Sequence, residues 1–322
     1  MLWWLAGCTG AIDQPLDPSD TTPVVFEVPK GATAGTLGPK LVDAGLIGDE
    51  LSWKLYLKRD SAGSCLKAGR FELSRAMNMP EMMEAMCGAP IAEEVPVTLV
   101  EGWRLGEIDA ELSRLGLIAE GSYLSAAQDP SRFTLPAGIG TVTSLEGLLL
   151  PETYSVPKDG VEVDQLIQRQ IDLLVSRFVE PNADEIAKSG RSLYELIIVA
   201  SMLEREEPRP SNRPLVAGVM WKRLDNAWNL GIDATSRYTL DDWNDRKAFL
   251  RQLRDPADPY NTRLRAGLPP TPIGNPSVES LEAALRPEGS EYWYYLHDSQ
   301  GNLHPGRSLA EHNALKAKHG VY

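Results

Sequence analysis

The stretch Ala200-Ser-Met-Leu-Glu204-Arg-Glu-Glu207-Pro208 closes an apolar run from Leu193 with three carboxylates and a guanidinium. Ser192-Leu-Tyr-Glu195 has the capping-box pattern and Pro208 is a stop, so the run reads as one helix of about four turns. At ~100° per residue, Glu204 falls in line with Leu193, Ile197 and Ala200, Glu206 falls near Glu195, Val199 and Met202, and Glu207 lies between. Glu204 is therefore the carboxylate aimed along an apolar stripe. Desolvation, the negative end of the helix dipole and the two neighbouring acids are all expected to raise its pKa. A carboxyl kept protonated near neutrality is a general acid. Three acids can also simply solvate a frayed helix end, and this stretch alone leaves that open.

Other chemistry-bearing residues cluster after Thr143. Glu146, in Ser144-Leu-Glu-Gly-Leu-Leu-Leu-Pro151, needs a partner if buried, either as a structural acceptor or as a site-lining group. Leu230-Gly-Ile-Asp233-Ala-Thr-Ser-Arg-Tyr238 is a polar and aromatic stretch suited to sugar contacts. Asp258-Pro-Tyr260-Asn261-Thr262 and Ala266 to Pro276 form a long Pro-stiffened loop, with Asn275 read as N-cap and Pro276 as first residue of a helix from Ser277 to Leu285. The four histidines, His297, His304, His312 and His319, lack close metal-ligand spacing, and no metal or cofactor is expected. His312 reads as a packing residue.

The elements that must position these groups follow from patterning. With 322 residues and 43% apolar content the chain can bury substantial cores, and its length suggests two domains. A net charge of −13 gives no nucleic-acid footprint. Met1 to Thr9 is apolar but too short to span a bilayer. Leu5-Ala-Gly-Cys8 looks like a bacterial lipobox, which would make Cys8 a lipidated anchor and put the true start upstream; chance, or the remnant of a truncated membrane helix, gives the same four residues. Residues 1–23 read as truncated signal and tether. Residues 24–92 read as a small module: strands at Val24–Pro29 and Arg70–Leu73, with helices at Thr36–Ala44, Gly48–Asp60 and Pro80–Met86. Cys65 and Cys87 flank that second strand and that last helix; they pair if the protein is exported, and otherwise are buried thiols. A shorter echo follows, with Val95–Val100 as strand and Leu105–Leu115 as helix. Ala44-Gly-Leu-Ile47 in the first copy answers Leu115-Gly-Leu-Ile118 in the second. Gly160 to Lys188 is helix-forming, Arg213-Pro214 opens a helix through Leu224, and Trp293–Leu296 reads as a strand buried against the last helices. The expected class is α+β, a small module followed by a larger mixed α/β domain over 93–322.

"LEGLLLPETY", "ASMLEREE", "RPLVAGVMWKRL", "DPYNTRLRAGLPPTPIGNPS" and "SLAEHN", in that order, resemble the endolytic murein transglycosylases, or MltG and YceG-like proteins. The resemblance runs from about Val24 to the C-terminus, on five spaced motifs in the second half and on the strand-turn-helix plan of a LysM-like module in the first. It implies a membrane-anchored bacterial envelope enzyme, facing the extracytoplasmic side, that cleaves nascent peptidoglycan strands between N-acetylmuramic acid and N-acetylglucosamine and leaves a 1,6-anhydro end. Peptidoglycan synthases are possible partners. The family's catalytic glutamate corresponds to Glu204, and motif position makes Glu146, Asp233, Tyr260, Asn261 and Asn275 candidates for binding substrate. A hydrolase needs two carboxyls. A lytic transglycosylase uses the substrate's C6 hydroxyl as nucleophile, so one acid that then serves as base suffices.

This chain departs from the family pattern in three places. Gly231-Ile232 replaces the usual Gln-Thr before Asp233, Glu207 replaces a Thr and is expected to add charge beside Glu204, and the lipobox-like segment stands where a transmembrane helix is expected. Two rival functions follow: a non-catalytic peptidoglycan-binding envelope lipoprotein, favoured by Gly231-Ile232, and an aminodeoxychorismate lyase, which needs a phosphate cradle and a Schiff-base lysine that this sequence lacks.

Overall fold

The computed structural model describes residues 12–289 and 291–321. Cys8 and the lipobox-like segment lie outside the described residues. No described helix is long and apolar enough to cross a membrane. The chain divides into two compact units, Met1–Glu94 and Val95–Tyr322.

In the first unit, β1 (Val24–Val28) and β2 (Gly69–Leu73) pair antiparallel with Phe26 opposite Phe71. The alternation of the strands sends Phe26, Val28, Phe71 and Leu73 to the core and the residues between them outward. Between the strands run α1 (Ala34–Asp43) and α2 (Glu50–Asp60), and α3 (Met79–Cys87) follows β2. Asp49 caps α2 by accepting from Ser52 N–H at 2.8 Å, and Asn78 and Glu81 form a reciprocal capping box on α3. Leu37, Leu41, Leu46, Trp53, Met82 and Met86 fill the core, and the indole N–H of Trp53 donates to Ala34 C=O at 2.8 Å, so burying it leaves no orphaned donor. Cys65 and Cys87 are joined by a disulfide, the paired alternative of the two that sequence left open.

The second unit opens with the same order of elements. β3 (Glu94–Thr98), α4 (Leu105–Arg114), α5 (Ser122–Ala127) and β4 (Thr153–Pro157) follow one another, and β3 lies beside β4 in a two-stranded sheet. After β4 come α6 (Val163–Leu174), continued by a π-turn over Val175–Val179, then α7 (Ala183–Lys188), α8 (Leu193–Glu206), α9 (Arg213–Asp225), α10 (Asp233–Tyr238), α11 (Arg246–Gln252) and α12 (Val278–Leu285). An antiparallel hairpin, β5 (Tyr294–His297) and β6 (Leu303–Gly306), and α13 (Leu309–His319) end the chain. The α+β expectation thus holds, with small sheets and 13 described helices. Of β5 only Leu296 is buried, so this strand is less enclosed than its aromatic run predicts.

Helix α8 is the spine of this unit. The Ser192–Glu195 capping box forms as its sequence predicts, with Ser192 N–H donating to Glu195 Oε2 at 2.8 Å and Glu195 N–H to Ser192 Oγ at 3.2 Å. Every residue from Leu196 to Leu203 is buried, so the helix is apolar on all faces and carries no single stripe. Helices α9 and α12 pack against it.

Candidate active site

Glu204 sits in the last turn of α8 with its side chain 7% exposed. Arg213, at the start of α9 and 6% exposed, reaches it with Nη2 at 2.7 Å from Oε1 and Nη1 at 3.3 Å from Oε2. Ser277 supplies two more donors to Oε2, its backbone N–H at 2.9 Å and its hydroxyl at 2.5 Å. Ser277 is also the N-cap of α12, so the carboxylate rests against the positive end of that helix. Arg213 further donates from Nε to Glu207 C=O at 3.0 Å, satisfying a carbonyl that the end of α8 leaves without a helical partner. Among the described residues, Oε2 therefore receives three donors and Oε1 one.

This setting differs from the one that helical spacing predicts. Glu204 faces a guanidinium and a helix N-terminus rather than an apolar stripe. The neighbouring acids turn elsewhere: Glu206 accepts from Tyr295 OH at 3.1 Å, and burial raises its pKa. Glu207 is fully buried and is taken up by Arg209 N–H at 2.8 Å and His297 Nε2 at 2.9 Å. The Glu207 carboxyl is thus held by a local network of its own.

A second carboxyl, Glu146, is wholly buried. Its contacts are Tyr238 OH at 3.1 Å, Leu105 N–H at 3.4 Å and Asn275 Nδ2 at 3.4 Å, and desolvation pushes its pKa up to about 8 against those donors. With Arg104, Glu107, Tyr238, Leu240 and others it lines a cleft of about 580 Å³. Beside Glu107, Arg205 donates at 2.9 Å and lies 4.2 Å over the Trp243 ring. Glu204 is not in that cleft's wall. Ser277, its partner, lines another cleft of about 460 Å³ with Thr98, Glu101, Glu152, Arg177 and Glu279.

One loop touches both carboxyls. Asn275 does not cap α12, as sequence suggests; Ser277 does, because the Asn275 amide has stronger demands on it. Its Oδ1 accepts from Gly147 N–H at 2.9 Å and Leu149 N–H at 3.1 Å, and its Nδ2 donates to Trp103 C=O at 2.9 Å. Main-chain bonds from Gly102 N–H to Asn275 C=O (2.7 Å) and from Asn275 N–H to Trp103 C=O (2.9 Å) bring the two backbones together. Gly274 permits this approach, since a Cβ there would lie 2.3 Å from Gly102 C=O.

The remaining predicted residues divide. Tyr260 joins the Glu146 side of the site, its ring 4.8 Å from that of Tyr238 and its hydroxyl 2.7 Å from Thr271 Oγ1. Asn261 is a fully buried loop staple, donating to Gln252 and Asp255 carbonyls and accepting from Arg263 N–H. Asp233 is half exposed and paired with Arg263 at 2.6 Å. Neither Asn261 nor Asp233 shares a hydrogen bond with Glu204 or Glu146. In the departing segment, Gly231 N–H donates to Thr262 C=O at 3.0 Å and Ile232 N–H to Thr262 Oγ1 at 2.9 Å. Those bonds come from main-chain groups and so survive the loss of the usual side chains.

A family model described as YceG-like matches residues 26–318. The chain belongs to the YceG-like family. Proteins named endolytic murein transglycosylase are similar to it. The one from Bacillus subtilis (strain 168) is 27% identical over 95% of this chain and 87% of its own length. That from Streptococcus pneumoniae serotype 2 (strain D39) is 25% identical over 95% of this chain, which spans only 60% of that protein. A solved structure of a putative YceG-like protein from Listeria monocytogenes, 28% identical, matches with a TM-score of 0.61 over 92% of this chain and 99% of that one.

Within this YceG-like chain, Arg213, Ser277 and Arg205 are the site groups that sequence reading passed over, while Tyr238 closes the polar and aromatic stretch it singled out. Arg213 carried a signal: a cation in the first turn of α9 opposes the helix dipole, which marks it as placed for a partner.

Proposed function

We propose that this protein is an endolytic peptidoglycan lytic transglycosylase, cleaving between N-acetylmuramic acid and N-acetylglucosamine with Glu204 as acid and then base. Family membership and the named relatives support the reaction class. The observation that carries the assignment of Glu204 is the unequal loading of its carboxylate. Among the described residues three donors saturate Oε2, while Oε1 accepts from Arg213 alone and keeps a lone pair available for the travelling proton. Once the proton has gone to the glycosidic oxygen, Arg213 and Ser277 stabilise the carboxylate left behind. That carboxylate then accepts the proton of the substrate's C6 hydroxyl as the 1,6-anhydro ring closes and the hydroxyl oxygen bonds to C1. Glu146 is a poor second catalytic carboxylate. With a pKa about 8 it is mostly protonated at neutral pH, so it is unsuited to the anionic nucleophile or water-activating role of a hydrolase. Its place is to shape the Tyr238–Tyr260–Asn275 side of the site.

Under the same reading, the strand-helix-helix-strand unit at the N-terminus is a LysM-like glycan holder, residues before Ile12 anchor the enzyme to the envelope membrane through Cys8, and the disulfide suits an extracytoplasmic compartment. Peptidoglycan synthases would supply the nascent strands. Mass spectrometry of the native N-terminus tests the anchor, and an unmodified Cys8 in an intact chain refutes it. For the reaction itself, purified peptidoglycan is digested and the new ends are weighed. Anhydromuramyl ends are expected; reducing ends would make the enzyme a hydrolase, and no product would leave a glycan-binding module.

A further inference from the structure

Two of the four histidines, far apart in sequence, converge in space on one aspartate. Asp298 follows β5 in the hairpin turn, His304 lies in β6, and His319 ends α13. His304 Nε2 stands 2.9 Å and His319 Nδ1 3.9 Å from the same oxygen, Asp298 Oδ2, and one ligand atom from each residue lies within 4.8 Å of the others. Four-coordinate zinc, with bonds of about 2.0–2.1 Å to nitrogen and oxygen, needs ligand atoms about 3.3 Å apart, which the two separations bracket. Asp298 is pre-oriented: its Oδ1 accepts from Gln300 and Asn302 N–H at 2.9 Å each, aiming Oδ2 at the imidazoles, with Asn302 Nδ2 also donating to Oδ2 at 3.0 Å. The two rings stack with centroids 3.8 Å apart.

We propose that Asp298, His304 and His319 bind one divalent transition ion of the zinc class, clamping α13 to the β5–β6 hairpin. Two imidazoles and a carboxylate suit Zn²⁺, and their partial exposure leaves a coordination position for water. The ion's part is to clamp the fold, since none of its three ligands touches Glu204 or Glu146. The hairpin carries Tyr295 and His297, whose hydrogen bonds to Glu206 and Glu207 brace the end of α8, so the ion would stiffen the frame beneath Glu204 without touching the reaction. The remaining histidine of α13, His312, stacks on Tyr294 and provides an internal control.

The test uses the untagged full chain, stripped with chelator and titrated with Zn²⁺ by calorimetry and with Co²⁺ by visible absorption. One ion per chain is expected, with Co²⁺ bands of a nitrogen–oxygen site and a rise in melting temperature on adding Zn²⁺. His319→Ala and His304→Ala should each weaken binding at least ~10-fold and abolish the thermal rise, while His312→Ala leaves both intact. Circular dichroism checks that each variant folds, and should His304→Ala fail, His319→Ala alone decides. Absence of saturable binding, or binding that survives His319→Ala, overturns the proposal.

Discussion

At the scale of single residues, the account rests on a buried ion pair whose two members lie in different helices. Removing one member leaves the other charged, desolvated and unpaired, which typically costs about 3–5 kcal/mol. Arg213→Ala should lose that much in urea unfolding, whereas Arg213→Lys should lose less stability and still most of the activity, because an ammonium cannot hold Glu204 and the Glu207 carbonyl at once. Glu146 makes a prediction of opposite character. Its folded pKa, about 8, lies above its ordinary 4.5, so between those values the unfolded chain has released a proton that the native protein keeps. Its contribution to stability therefore falls as pH rises from 4.5 to 8 and levels off above, by an amount on the order of a few kcal/mol. Glu146→Gln should remove this slope, as judged by unfolding free energies of the variant and wild type at pH 5 and pH 8. The placement of Glu204 at the end of α8 was legible from the capping box and the apolar run before it. Its partners were not, because Arg213 is 9 residues on and Ser277 73 residues on, distances that only the packing of α8, α9 and α12 closes.

At the scale of elements, the sequence was most informative where local hydrogen bonding decides the outcome. The Ser192–Glu195 box starts α8, and the two Gly-Leu-Ile echoes end α1 and α4 alike. Gly45 and Gly116 have φ of 68° and 73°, and the Leu46 and Leu117 N–H groups reach back to Leu41 and Leu112 carbonyls at 2.9 and 3.0 Å. It misled where a side chain had a better distant partner than its nearest helix, as with Asn275, whose amide is claimed by Gly147, Leu149 and Trp103. Two predictions belong here. Gly274→Ala forces the Asn275–Ser277 loop off Gly102, so activity should fall far more than the melting temperature; an unchanged rate would remove this loop from the site. The Cys65–Cys87 bridge closes a segment with a sequence separation of 22. Reducing it should cost about 3 kcal/mol of stability, measured by unfolding with and without dithiothreitol.

For the whole molecule, the division of labour is a core helix, buried on every face from Leu196 to Leu203, that presents one carboxylate where two other helices begin. A helix so enclosed cannot shift without disturbing the unit's core, which suits the proton-transfer role proposed for Glu204. The α+β class was readable from strand and helix periodicity, whereas the histidine cluster, spread over three elements, was not. The central claim is that one carboxyl, Glu204, carries the proton in both directions. The most direct measurement is mass spectrometry of peptidoglycan digested by wild type and by Glu204→Gln, both shown to be folded by circular dichroism. Anhydromuramyl ends from wild type and none from Glu204→Gln are predicted; anhydromuramyl ends at a comparable rate from the variant would contradict the account.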